Sequence, residues 1–137
     1  MHHFEYRDGQ MFAEDVALAE LAEEIGTPFY CYSRATFTRH IRVMSEAFAG
    51  IDTLLAYAMK ANSNQAMLTI AAREGIGADV VSGGELERAL RAGIAPEKII
   101  FSGVGKTADE LAQGLKAGIL CFNVESEPEL DRLDRVA

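Results

Sequence analysis

The stretch Leu54-Leu55-Ala56-Tyr57-Ala58-Met59-Lys60-Ala61-Asn62-Ser63-Asn64 sets a single lysine at the end of an otherwise apolar run. A run of this kind reads as a buried strand, and a lysine at its carboxyl end projects to the edge where α/β sheets and barrels bind ligands. Apolar surroundings disfavour the ammonium form, which leaves more neutral amine to attack a carbonyl carbon. Lys60 is therefore a candidate for covalent carbonyl chemistry. On spacing alone, a lysine that simply leaves the strand into solvent is equally compatible.

Other chemistry-bearing residues are weaker candidates. Gly103-Val104-Gly105-Lys106-Thr107 lies between an apolar run and a helical pattern, where a phosphate loop would lie. That loop needs a further glycine five residues before Gly105, and Ile100 stands there, so the stretch reads as a glycine turn leading to a Thr107 N-cap. Gly75-Ile76-Gly77 precedes a strand and has Val80 in place of a third glycine, which does not support a dinucleotide fold. His2, His3 and His40 have no carboxylate or thiol at ligand spacing, so no metal site is expected. Cys31 and Cys121 sit singly in apolar runs and read as reduced core thiols.

The elements that position these residues follow a rhythm. Apolar runs begin near Phe29, Thr53, Gly77, Lys98 and Ile119, roughly 21 to 24 residues apart, with amphipathic stretches between. That alternation predicts about five βα units and a parallel sheet. Phe37, Ile41, Met44 and Phe48 form one stripe of a helix that starts after Ser33. Ser82 with Glu85, Thr107 with Glu110, and Ser126 with Glu129 have the spacing of capping boxes, and Gly75, Gly93 and Gly118 follow helical runs as stops.

The first 28 residues break this rhythm. Phe4 to Phe12 reads as strand, Asp8-Gly9 turn and strand, and Asp15 as the cap of a helix carrying Val16, Leu18, Leu21, Ala22 and Ile25. At the other end, the helical pattern begun at Ser126 runs to Ala137 without a stop signal, which predicts a chain cut from a longer one. Five units cannot close an eight-stranded barrel of about 250 residues.

Composition narrows the function. The 137 residues hold 13 Lys+Arg against 21 Asp+Glu, a net charge of -8, with no basic run. Nucleic acid and anionic membranes are thereby poor partners. The polar start is unlike a secretory signal, and no stretch of 18 apolar residues occurs, so a cytoplasmic protein is expected.

Tyr57-Ala58-Met59-Lys60-Ala61-Asn62 resembles the lysine motif of the fold-type III pyridoxal-phosphate enzymes, the ornithine, diaminopimelate and arginine decarboxylase family. Three further segments resemble the same family in the same order: 26–33, 77–86 and 101–107. The likeness runs from about Phe4 to Ala137. It implies an α/β fold, the N-terminal part of a pyridoxal-phosphate-binding (βα)8 TIM-type barrel over 29–137, with 1–28 a lead-in whose strands belong to a second β domain.

It further implies that Lys60 is the catalytic lysine that bonds pyridoxal 5'-phosphate, that Asp79 supports the cofactor site, and that Glu85 is more simply a helix cap. The activity implied is decarboxylation of meso-2,6-diaminopimelate to L-lysine and carbon dioxide, in a homodimer. Ornithine or arginine decarboxylases and amino-acid racemases of the same fold, or a non-catalytic pyridoxal-phosphate barrel, are the alternatives. The family's phosphate loop, ring-stacking residue, substrate arginine and catalytic cysteine fall outside these residues. The 137 residues alone are therefore expected to show no decarboxylase turnover with added cofactor, which an assay of released carbon dioxide checks.

Overall fold

Asp8 and Gly9, with φ of 49° and 80°, close a two-residue turn between β1 (Phe4–Arg7) and β2 (Gln10–Ala13). Positive φ at both positions matches the twist of paired antiparallel strands, and an Asp-Gly pair adopts it at little cost. A computed structural model of the chain describes residues 2–137. The described residues fall into two compact units, divided between Ala49 and Gly50.

In the first unit β2 also pairs with β3 (Val16–Ala17), giving an antiparallel sheet of order β1-β2-β3. The expected Asp15-capped helix is thus corrected. Val16 and Ala17 join the sheet, and α1 (Leu18–Ile25) starts after Ala17 without a side-chain cap. Helix α2 (Arg34–Ala47) begins after Ser33 as expected, and Ser33 Oγ accepts the Thr36 amide at 2.9 Å. Glu14 adds a second acceptor, taking the Ser33 hydroxyl at 2.7 Å and the Ala35 amide at 2.8 Å. Those two bonds hold its carboxyl below the ordinary carboxylate value.

The second unit is built on a parallel sheet of order β4-β5-β6-β7: Ala56–Ala58, Gly77–Val80, Ile99–Phe101 and Cys121–Phe122. Helices α3 (Gln65–Arg73), α4 (Gly83–Arg91) and α5 (Ala108–Ala117) connect the strands, and α6 (Glu127–Val136) follows the last. The α/β barrel-type succession is as expected, with one strand fewer. Residues 29–33 run without helix or strand assignment, so the described residues hold four parallel strands rather than five. Apolar character alone does not make a strand where no neighbouring backbone supplies a ladder.

Alternation along the strands separates two faces. Ala78, Val80, Ile99 and Phe101 pack with Leu68, Leu86 and Ala89 of the helices, and Phe101, Leu68 and Leu86 have no exposed surface. Asp79, Ile100 and Cys121 alternate with that core. Cys121 is consequently exposed and Cys31 only half-buried, so neither is the core thiol expected, although both are free. At Gly77 a Cβ would lie 2.1 Å from the Lys98 carbonyl oxygen, and this is where β5 enters beside β6.

Of the three capping boxes expected, Thr107 and Glu110 form the complete reciprocal one. Glu110 reaches further, accepting the Gly83 amide at 2.9 Å in the first turn of α4. One carboxylate thus satisfies donors at the starts of two helices, with the helix dipoles favouring its charge. The Thr107 and Gly83 amides, in that order, hold its carboxyl below the ordinary value of 4.5. A depressed carboxyl contributes stability that is complete above its unfolded value and is lost as pH falls through the folded one. Glu110→Gln should therefore cost ~1 kcal/mol near neutrality, in the range of a lost N-cap partner. In urea unfolding at a series of pH values, the gap from wild type should close as pH falls below 4.5.

Candidate active site at the carboxyl edge of the parallel sheet

Lys60 leaves the sheet one short turn after β4. Met59 is fully buried and anchors a 3₁₀ turn over Met59–Ala61, so the next side chain, Lys60, points out and is exposed. The turn is braced from both sides. The Tyr57 hydroxyl donates to the Asn62 carbonyl at 3.1 Å, and Asn62 Oδ1 accepts the Asn64 amide at 2.9 Å. Asn64 in turn caps α3 through the Ala66 amide. The apolar enclosure expected around this amine is not supplied by the described residues, because the core lies on the other face of the sheet.

Among the described residues nothing pairs with the Lys60 amine, whereas the sheet's other lysines are engaged. Lys98 donates to the Gly75 carbonyl at 2.7 Å. Lys106, 2% exposed, donates to the carbonyls of Gly103 and Asn123 and to Glu129 Oε1, each at 2.7 Å. An ammonium has three hydrogens, so Lys106 has none left for a phosphate. The glycine turn before Thr107 is accordingly a structural loop, pinned to α6 by a buried ion pair and by Arg132, whose Nη1 donates to the Lys106 carbonyl at 2.8 Å. Glu129, expected to return to Ser126, is the partner of that pair, while Ser126 still accepts the Glu129 amide at 3.4 Å.

The register puts Asp79 at the same end of the sheet as the lysine. Ala58, two residues before Lys60, pairs with Asp79, and Asp79 with Ile100. The Ser102 hydroxyl donates to Asp79 Oδ1 at 2.5 Å, and Asn123 Nδ2 donates to Ser102 Oγ at 2.9 Å. Sequence reasoning assigned no role to Ser102 or Asn123. The available signal was that each is the first polar residue after an apolar strand. Glu85 does not join this chain. Its Oε2 accepts the Val81 amide at 2.8 Å and its own amide donates to Ser82, so it braces the start of α4.

A primary amine with no partner among the described residues, at the edge of the sheet that also carries the hydrogen-bonded Asp79 carboxylate, fits a group that is bonded through an aldehyde. The donor set thus matches the amine-binding end of pyridoxal phosphate. Parallel strands joined by covering helices, with polar side chains gathered at the strand ends, are the succession from which a TIM-type α/β barrel is built. Residues 34–137 match the pyridoxal-dependent decarboxylase, pyridoxal binding domain family, and the chain belongs to it.

Relatives of known name agree. The chain is 53% identical over 137 residues to the diaminopimelate decarboxylase of Pseudomonas aeruginosa, covering 100% of this chain and 33% of that protein. It is 54% identical over 138 residues to the Vibrio cholerae diaminopimelate decarboxylase, with the same coverage. The crystal structure of diaminopimelate decarboxylase from M. jannaschii superposes with a TM-score of 0.91 at 38% identity, over 98% of this chain and 32% of that one. The chain thus spans about a third of the length of the curated relatives it matches. Among the described residues no helix is long and apolar enough to cross a membrane, and no group of three His, Cys, Asp or Glu could hold a metal ion.

The buried pair should behave as a unit. Lys106→Met leaves the Glu129 carboxylate buried and unpaired and should destabilise by ~3–5 kcal/mol, whereas Lys106→Met with Glu129→Leu should cost much less. Denaturant unfolding of both variants checks this.

Proposed function

We propose that this chain is the lysine-bearing portion of a pyridoxal-phosphate-dependent decarboxylase that converts meso-2,6-diaminopimelate to L-lysine and carbon dioxide. The observation that carries it is the unpaired Lys60 amine at the carboxyl edge of the sheet, in a chain 53% identical along its whole length to a diaminopimelate decarboxylase. A solved relative from Helicobacter pylori, 46% identical over 87% of this chain, is complexed with L-lysine, the product proposed here. A cytoplasmic location and a homodimer complete the proposal.

Lys60 would hold the cofactor through its amine, and Asp79, held by Ser102, would stand beside it as a fixed carboxylate. When bound, pyridoxal phosphate supplies the electron sink for the pair of electrons left at Cα as the substrate's carboxylate departs. The chain's own contribution is placement. Buried Met59 and the Tyr57–Asn62 bond fix the turn from which Lys60 reaches, so little backbone freedom remains to be lost as the reacting groups come together. The lysine must also be able to move away from the cofactor and back as substrate and product exchange. Its exposure within a short turn allows that.

Borohydride reduction of the whole gene product with pyridoxal phosphate, followed by peptide mapping, should place the trapped adduct on Lys60. Lys60→Ala should lose the visible absorbance of the bound cofactor and lower turnover by several orders of magnitude. An adduct on another side chain, or none, would overturn the proposal. Product analysis with meso-diaminopimelate, ornithine and arginine decides the substrate.

A further inference from the structure

Three polar side chains stand in a row at the carboxyl ends of β5, β6 and β7, and their hydrogen bonds can run in one direction only. Asp79, as a carboxylate, only accepts, so the Ser102 hydroxyl must give it its single proton. Ser102 Oγ is then left to accept, and its partner Asn123 must present the amide nitrogen, which settles the orientation of that amide. The backbones beneath are equally constrained. The Ser102 amide donates to the Val80 carbonyl at 2.8 Å, and the Asn123 amide to the Phe101 carbonyl at 2.9 Å. The Asn123 carbonyl receives a hydrogen bond from buried Lys106. The relay therefore ends on a loop clamped by the Lys106–Glu129 pair and not on a free side chain.

We infer that Ser102 and Asn123 are positioning residues that fix the Asp79 carboxylate at the Lys60 end of the sheet. The inference rests on the pyridoxal reading of that edge. Neither side chain belongs to the apolar core. Ser102 is half-buried and Asn123 exposed, the apolar core lies on the opposite face, and the ladder bonds of both residues come from their backbones. A hydroxyl that contributes little to packing yet donates to a carboxylate at the lysine's edge of the sheet, and is itself oriented by an amide, acts on where that carboxylate sits.

The test uses the whole gene product with pyridoxal phosphate and the variants Ser102→Ala, Ser102→Thr, Asn123→Ala and Asp79→Asn, with S102A combined with D79N. Losing the bond to the carboxylate should lower kcat roughly tenfold in Ser102→Ala, and losing the outer bond roughly threefold in Asn123→Ala, in line with charged and neutral hydrogen bonds. The fall should be in kcat and not in KM, the visible band of the bound cofactor should shift, and thermal midpoints should stay near wild type. Ser102→Thr, which keeps the hydroxyl, should restore both kcat and the band. In the Asp79→Asn background, Ser102→Ala should add nothing, because the group it positions is gone.

The inference is overturned if Ser102→Ala leaves kcat and the band unchanged, if its effect is undiminished beside Asp79→Asn, or if kcat falls only in step with thermal stability. A wild type that bonds cofactor on Lys60 but shows any of these results overturns this inference alone. A wild type that bonds none overturns the pyridoxal reading and this inference with it.

Discussion

In-register parallel pairing is the constraint from which the site follows. Because β4, β5 and β6 align Ala58, Asp79 and Ile100 in one row, the residues just past the strand ends collect along a single edge. Side chains from distant parts of the chain, Lys60, Asp79, Ser102 and Asn123, are thereby brought to one edge without a loop having to reach. A slip of one residue in either ladder would turn Asp79 into the core and send Val80 or Ala78 to the ligand edge. The apolar packing of Val80, Ile99 and Phe101 against α3 and α4 resists such a slip, so the same core that stabilises the sheet also sets the chemistry's geometry.

Two buried or half-buried carboxylates carry that order from the strands into the loops. Glu129 neutralises Lys106 where burial would otherwise penalise both charges, and the amine's remaining hydrogens tie down the carbonyls of Gly103 and Asn123. Glu110 joins the starts of α4 and α5. Both devices lie next to the strand ends, so the loops that follow β5, β6 and β7 are each tied down by a charged side chain. Such tethering suits a site whose work is to hold groups in place.

Membership of the pyridoxal-dependent decarboxylase family and the α/β barrel-type succession were legible in the sequence, the first through the Tyr57–Asn62 segment and the second through regular spacing of apolar runs. The complete capping box at Thr107 was legible too, because Ser or Thr with Glu three residues on is a local arrangement. What failed was any assignment that depended on competition between partners. Glu129 stands at capping-box spacing from Ser126, but a buried ammonium offers a carboxylate more than one further amide does. Residues 29–33 have strand-like composition and no assigned strand. Cys121 lies in an apolar run, but in the row of Ile100, on the side that the helices leave bare.

The amino-acid order by itself determined helices α2 to α6, the Thr107 capping box and the single lysine after an apolar strand, because these rest on propensities and bonds within a few residues of each other. Only the tertiary structure decided that Lys106 is locked away while the Lys60 amine has no partner among the described residues, and that Ser102 donates to Asp79 while Asn123 donates to Ser102. Those outcomes depend on strand register and on which distant acceptor lies nearest, and neither is set by residues adjacent in the chain.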